Sequence, residues 1–109
     1  MRILVVGAHG TIGSEVVKAL SAKNEIIEAS RTRSDIKVDI RDVASVRAMY
    51  DKVGKVDAVV SAAGSGAWKP LPQLTDEDFQ TSLRYQLMGQ ENLIRYGLDH
   101  VSDRGSITV

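Results

Sequence analysis

The sequence predicts an α/β fold in which a parallel, doubly wound sheet is covered by helices on both faces. Three observations predict it. Strand-like and helix-like segments alternate along the 109 residues. The first strand, Ile3–Val6, is a short, continuously apolar run that ends at a glycine, as expected of a buried parallel strand. Only 5% of the residues are aromatic, so the core should consist mainly of Val, Ile, Leu and Ala, which suits such a sheet.

Five strands and three helices are predicted along the chain. The strands are Ile3–Val6, Glu25–Ala29, Ile36–Asp39, Asp57–Ser61 and Gly105–Val109. The helices cover residues 11–22, 42–52 and 75–100, and the last two begin at the capping residues Asp42 and Thr75. Apolar residues recur at helical spacing: Ile12, Val16, Ala19 and Leu20 in the first helix, Val43, Val46 and Met49 in the second, and Leu83, Leu87 and Ile94 in the third.

The alternation of strands and helices also predicts the topology. Right-handed crossovers between parallel strands favour the order 3-2-1-4-5, with a ligand-binding switch point between strands 1 and 4. A full fold of this type usually has two mononucleotide-binding halves. The sequence contains the first half and part of the second. Residues 1–109 are therefore expected to form a three-layer, Rossmann-type unit that is truncated after strand 5 and belongs to a larger single domain.

Composition excludes several classes of function. Fourteen Lys and Arg residues balance fourteen Asp and Glu residues, so no basic excess indicates nucleic acid or an anionic membrane as a partner. The chain has no cysteine, and therefore no disulfide framework and no thiolate metal site. No segment approaches the length of a membrane span. A cytoplasmic protein without a bound metal is expected.

The loop after the first strand has the pattern G-x-x-G-x-x-G, from Gly7 through Gly10 to Gly13. Gly7 allows a tight turn with positive φ, Gly10 lets a diphosphate approach the backbone, and Gly13 lets the helix pack closely. The helix N-terminus then offers N–H groups to phosphates, and Thr11 can add a hydroxyl donor. His9 is interpreted as a partly exposed residue of this phosphate-facing loop. No Gly-Lys-Ser/Thr follows, which excludes a P-loop.

The residues after the second strand indicate which dinucleotide is bound. An acidic residue there marks NAD, whereas an arginine accommodates the 2′-phosphate of NADP. The sequence reads Ser30-Arg31-Thr32-Arg33, and Glu28 lies inside the strand. NADP is therefore predicted over NAD, with Arg31 as its discriminating residue.

These motifs resemble the short-chain dehydrogenase/reductase family over the whole chain. The resemblance rests on the glycine loop at 7–13, Ser30-Arg31, Asp39-Ile40, Ser61-Ala62-Ala63-Gly64 and the final strand at 105–109. It implies that Asp39 meets the adenine amine, that Ala63 and Gly64 line the ribose beside Ser61 and Ala62, and that Ile12 lies near the nicotinamide. It also implies a homo-oligomer formed through the helix at about 76–100.

The sequence departs from that family at catalytically important positions. Ser61-Ala62 replaces the usual Asn-Asn, and Gln86-Leu87-Met88-Gly89 replaces Asn-Leu-x-Gly, so Gln86 is either a substitute in a proton relay or an ordinary helix residue. None of the three tyrosines is followed by a lysine four positions later, because those positions hold Gly54, Gly89 and His100. The family's Ser and Tyr-x-x-x-Lys are therefore expected beyond Val109.

Three functional hypotheses remain from the sequence. The first is an NADP-preferring oxidoreductase that moves a hydride between the nicotinamide and a carbonyl or alcohol of a small substrate, with this fragment inactive alone. The second is a non-catalytic protein that senses NAD(P). The third is a relative of the sugar-nucleotide epimerases, which share the G-x-x-G-x-x-G loop.

Overall fold

The computed structural model describes all 109 residues, and its centre is one parallel sheet of five strands. Numbered along the chain, the strands lie in the order 3-2-1-4-5 across the sheet, which confirms the predicted topology. Val6 pairs with Ala29 on one side and with Ser61 on the other, so three strands end at the same edge of the sheet. The strands are β1 (Arg2–Val6), β2 (Glu25–Ser30), β3 (Ile36–Lys37), β4 (Val56–Ser61) and β5 (Val101–Thr108).

The helices begin where the sequence places their caps. The Asp42 carboxylate accepts a hydrogen bond from the Ala44 N–H, and Thr75 and Asp78 form a reciprocal capping box. The predicted third helix is divided: a π-helical segment, Arg84–Gly89, joins two α-helices. The α-helices are α1 (Thr11–Leu20), α2 (Val43–Val53), α3 (Asp76–Leu83) and α4 (Gln90–Gly97), and a short 3₁₀ turn covers Leu71–Gln73.

Alternating residues of β1 pack into two separate layers, which gives the three-layer arrangement. On one face, Leu4 and Val6 pack with residues of α2 and α4, including Tyr50 and Leu93. Burial raises the pKa of Tyr50 to about 12, and its hydroxyl donates to the Leu93 carbonyl at 2.8 Å. On the other face, Ile3, Val5, Ala8 and Ala58 pack against α1, through Val16, Val17 and Leu20.

Three local expectations differ from the structure. The packed face of α1 contains Val17 rather than the exposed Ile12 and Ala19, because Gly13 must face the Gly7 carbonyl. β3 has only two residues, and the chain then turns towards α2. β5 begins earlier than predicted and bulges opposite Asp57, where Arg104 adopts a φ of 65°.

The apolar residues predicted along the third helix are largely exposed. Leu83, Leu87 and Ile94 do not enter either core layer. None of the helices combines the length and hydrophobicity that a membrane span requires.

Candidate functional site

A cleft of about 300 Å³ opens at the carboxyl ends of β1, β2 and β4, at the predicted switch point. Residues from separate loops meet there because these parallel strands end at one edge. The predicted cofactor-binding residues that line the cleft are Gly7, His9, Gly10, Ser30, Arg31, Ala62, Ala63 and Gly64. Thr11, Ile12 and Gly13 form the adjoining first turn of α1, whereas Asp39 and Ser61 lie beside the cleft without lining it.

The glycine loop has the backbone geometry that its pattern predicts. Gly7 has a φ of 83°, and a Cβ there would stand 2.7 Å from the Ala63 nitrogen. A Cβ on Gly13 would stand 1.9 Å from the Gly7 carbonyl oxygen, so α1 packs directly on the loop. Gly10 differs, since its nearest neighbour would be the Gly7 oxygen at 3.5 Å. The space beside Gly10 and the N-terminus of α1, which has no side-chain cap, fits a diphosphate.

The opposite rim of the cleft is positively charged. Arg31 and Arg33 line it, and neither forms an ion pair with a carboxylate. The Ser30 hydroxyl holds the loop by accepting from the backbone N–H groups of Arg33, at 3.0 Å, and Ser34, at 2.8 Å. No Asp or Glu lines the cleft. The rim is therefore suited to an anionic group.

Glu28, the carboxylate nearest the end of β2, lies outside the cleft. Its side chain approaches the His9 imidazole, with Oε2 3.7 Å from Nε2. The His9 carbonyl also accepts a hydrogen bond from Arg33 at 3.4 Å. His9 therefore joins the glycine loop to β2 and to the loop that follows it, in agreement with its interpretation as a loop residue.

Asp39 is paired with a neighbouring arginine. Its carboxylate accepts from Arg41 Nε at 3.0 Å and from Nη2 at 2.8 Å, and these bonds lower the pKa of Asp39. The buried residues on either side of it, Val38 and Ile40, form the cleft wall instead. A contact between Asp39 and the adenine amine stays a prediction.

Sequence reasoning missed Tyr85, which lines the cleft from the π-helical segment. The side chain is 6% exposed. Its hydroxyl accepts a hydrogen bond from Arg31 Nη1, and the Arg41 guanidinium lies 4.3 Å from the ring centroid. No sequence signal marks a π-helical turn, so a regular helix gave no reason to place this tyrosine at the cleft.

The sequence that forms this cleft matches the model of a known family. A sequence model described as the NAD dependent epimerase/dehydratase family matches residues 3–101. The chain belongs to this family. The resemblance to the short-chain dehydrogenases/reductases is also confirmed by the family model and the relatives, and solved structures of small-chain dehydrogenases share the fold.

The most informative relatives of this epimerase/dehydratase family member are longer proteins. Hydroxynaphthalene reductase arp2 of Aspergillus fumigatus is 31% identical over 105 residues, which cover 93% of this chain and 36% of that protein. The crystal structure of protein lin1944 from Listeria innocua is 46% identical with a TM-score of 0.95, covering 98% of this chain and 54% of that one. A small-chain dehydrogenase solved with NADPH shares the fold at 22% identity and a TM-score of 0.87, with 98% of this chain and 48% of that chain covered. The chain thus spans about a third to a half of the length of these proteins.

In this family member, the helix carrying Gln86 supports the loop after β4. A Cβ on Gly64 would stand 2.9 Å from Gln86 Nε2, so the glutamine side chain lies against that loop. Gln90, which the sequence analysis did not single out, donates from Nε2 to the Ala63 carbonyl at 2.7 Å. The Ser61 hydroxyl is buried without a hydrogen-bond partner. Two glutamines therefore contact Ala63 and Gly64, directly after Ser61 and Ala62, while a catalytic role for Gln86 stays a prediction.

Proposed function

We propose that the protein is an NADP-preferring oxidoreductase of the short-chain type, in which this chain holds the cofactor. The supporting observation is the charge of the cleft: two arginines without carboxylate partners line it, and no acidic side chain does. An NAD site of this fold would place a carboxylate at the end of β2 to accept from the ribose 2′-hydroxyl. Here that place is taken by Ser30 and Arg31.

The chain offers partners for the diphosphate, the 2′-phosphate and the adenine of the cofactor. The N–H groups at the start of α1 would hold the diphosphate beside Gly10, and Arg31 and Arg33 would hold the 2′-phosphate. Val38 and Ile40 supply an apolar wall for the adenine. When bound, the cofactor supplies or accepts the hydride, and the substrate would be a carbonyl compound or alcohol. The serine and the Tyr-x-x-x-Lys pair of this reaction are proposed to lie outside residues 1–109.

The test is a comparison of two reduced cofactors. Isothermal titration of the protein with NADPH and NADH should give a lower Kd for NADPH, by about tenfold or more, because a charge-assisted contact to phosphate contributes roughly 1.5–3 kcal/mol. Arg31→Ala should bring the two Kd values together by weakening NADPH alone. Arg47→Ala, which alters an arginine outside the cleft, is the matched control and should leave both values unchanged. Equal affinities in the unaltered protein would refute the preference for NADP.

We also propose that the exposed row Leu83, Leu87 and Ile94 packs against a second copy of the chain. Their exposed fractions are 49%, 58% and 39%, which is unusual for three apolar side chains on consecutive helical segments. Light scattering of the protein and of Leu87→Glu should give a dimer or larger assembly for the first and a smaller species for the second. A monomer in both cases would contradict the proposal.

A further inference from the structure

Tyr85 joins three segments that are distant in sequence. Arg31 follows β2 and Arg41 follows β3. Tyr85 lies in the π-helical segment between α3 and α4. The Arg31 guanidinium donates to the Tyr85 hydroxyl, and the Arg41 guanidinium covers the Tyr85 ring. Arg41 is itself fixed by two hydrogen bonds to Asp39. The contacts thus form a chain from Asp39 through Arg41 and Tyr85 to Arg31.

The two arginines in this chain differ in what remains available for a ligand. The charge of Arg41 is matched by Asp39, and Arg41 does not line the cleft. Arg31 has no carboxylate partner and lines the cleft, and its hydrogen bond to Tyr85 uses one of five N–H donors. The remaining N–H donors of Arg31 can therefore meet an anion, while its charge also acts on the Asp39 carboxylate and helps to lower the pKa of Asp39.

Holding such a side chain in place has a thermodynamic consequence. A free arginine side chain loses conformational entropy when it is ordered, and its long, flexible side chain makes this loss large. A hydrogen bond formed before the ligand arrives removes part of that loss from the binding step. Tyr85 is suited to this role because it is buried and because its ring is held between the core and Arg41.

The π-helical segment is what carries Tyr85 in this arrangement. Such segments are rare and occur frequently at functional sites. The segment ends at Gly89, where a Cβ would stand 2.7 Å from Ile40 Cδ1, so it packs tightly against the wall of the cleft. The Asn92 amide, one turn later, donates to the Ile40 carbonyl at 2.9 Å. Tyr85 is therefore anchored on a fixed backbone.

From these contacts we infer that Tyr85 is a positioning residue for cofactor specificity: it orients Arg31 towards the 2′-phosphate of the adenosine moiety. The inference rests on the proposed function, because it assumes that a 2′-phosphate is the anion bound by Arg31. It assigns to Tyr85 no part in hydride transfer.

The experiment uses two adenosine nucleotides that differ in one phosphate group. Adenosine 2′,5′-bisphosphate and adenosine 5′-monophosphate are titrated calorimetrically into the unaltered protein, Tyr85→Phe, Arg31→Ala and the double variant. Tyr85→Phe should weaken the bisphosphate by about five- to tenfold, because part of the ordering of Arg31 then has to take place in the binding step. The monophosphate affinity should not change. In the Arg31→Ala background, Tyr85→Phe should have no further effect on the bisphosphate, because Tyr85 acts through Arg31.

Tyr96→Phe is the matched control, since Tyr96 lies on α4 and does not line this cleft. It should leave both affinities unchanged, and thermal unfolding of each variant establishes that it is folded. One contrary outcome is that Tyr85→Phe weakens the binding of both nucleotides by the same factor. Another is that it weakens bisphosphate binding by the same factor with and without Arg31→Ala. In either case Tyr85 is not a positioning residue, and the inference fails while the proposed function stands. If the unaltered protein does not prefer the bisphosphate, the proposed NADP preference fails, and the inference fails with it.

Discussion

The two sides of the cleft are built by different means. The glycine loop at 7–13 is shaped by backbone contacts, because a Cβ on Gly7 would meet the backbone of Ala63 and a Cβ on Gly13 would meet the backbone of Gly7. The opposite side is the arginine rim, which we define as the cleft residues Arg31, Arg33 and Tyr85 together with Arg41, which covers the Tyr85 ring without lining the cleft. The rim is built from side chains of three distant segments. A diphosphate is common to all dinucleotides, whereas the 2′-phosphate distinguishes one of them. Under the proposed function, the general part of the ligand would meet backbone, and the distinguishing part would meet assembled side chains.

The glycine loop should be the less tolerant of the two sides. Gly13→Ala would place a Cβ 1.9 Å from the Gly7 oxygen, and the obstacle is backbone that cannot move aside alone. We expect the free energy of unfolding to fall by about 3 kcal/mol, at the upper end of overpacking effects. Urea denaturation followed by circular dichroism measures it.

Gly10→Ala separates packing from binding within the same loop. A Cβ there would meet only the Gly7 oxygen, at 3.5 Å, which is an ordinary contact. The loss of stability should stay below about 1 kcal/mol, while NADPH affinity should fall by about tenfold because the methyl group occupies the space of the phosphates. If Gly10→Ala unfolds the protein as readily as Gly13→Ala, the proposed division of roles in the loop is wrong.

The support beneath the arginine rim should give the next largest effect. Asn92 is 4% exposed, and its amide donates to the Ile40 carbonyl. Asn92→Ala leaves that buried carbonyl without its partner and should cost about 2 kcal/mol of stability. NADPH binding should weaken as well, because Ile40 forms the wall of the cleft.

Asn24→Ala is the control for the loss of an asparagine. The Asn24 amide donates to the Leu20 carbonyl at 3.0 Å, at the end of α1 that is remote from the cleft. The group is only partly buried, so the cost should be below about 1 kcal/mol, and NADPH affinity should not change. A decrease in affinity for Asn24→Ala equal to that for Asn92→Ala would show that the effect is global.

The same contrast explains what could be predicted from the sequence. Strand order follows from the handedness of crossovers between parallel strands, and the structure confirms it. The helix caps at Asp42 and Thr75, the positive φ of Gly7 and the close packing of Gly13 follow from residues a few positions apart, and the structure confirms these as well. Local patterns contain this information because steric limits on φ and on close approach act between near neighbours.

The arginine rim could be predicted only in part. Arg31 and Arg33 can be found in the sequence because they follow a strand end, but the hydrogen bond from Arg31 to Tyr85 spans 54 positions. It depends on a π-helical segment that no residue pattern marks. The support of Ala63 by Gln90 was missed for the same reason, since a partner on a distant helix leaves no local signal.

The smallest expected effect is a pH dependence of the unfolding free energy that arises at the arginine rim. Hydrogen bonds from Arg41 lower the pKa of Asp39 below its ordinary value of 3.8. A carboxyl group with a lowered folded-state pKa adds stability above its unfolded pKa, and that stability is lost as the pH falls through the folded pKa. Because a third of the Asp39 side chain is exposed, the contribution should be below about 1 kcal/mol. The difference in unfolding free energy between the unaltered protein and Asp39→Asn should therefore be constant above about pH 5 and shrink below about pH 4.

The prediction compares the unfolding free energies of two proteins because the pKa values of Asp57 and Asp78 are also lowered by hydrogen bonds. Both carboxyl groups titrate in the same acid range, but they are present in both proteins and cancel. Gly10→Ala changes no titratable group, so its difference from the unaltered protein should be flat between about pH 3 and pH 5. A flat difference for Asp39→Asn as well would show that the Asp39–Arg41 pair adds no stability, and that Arg41 covers the Tyr85 ring without help from the carboxylate.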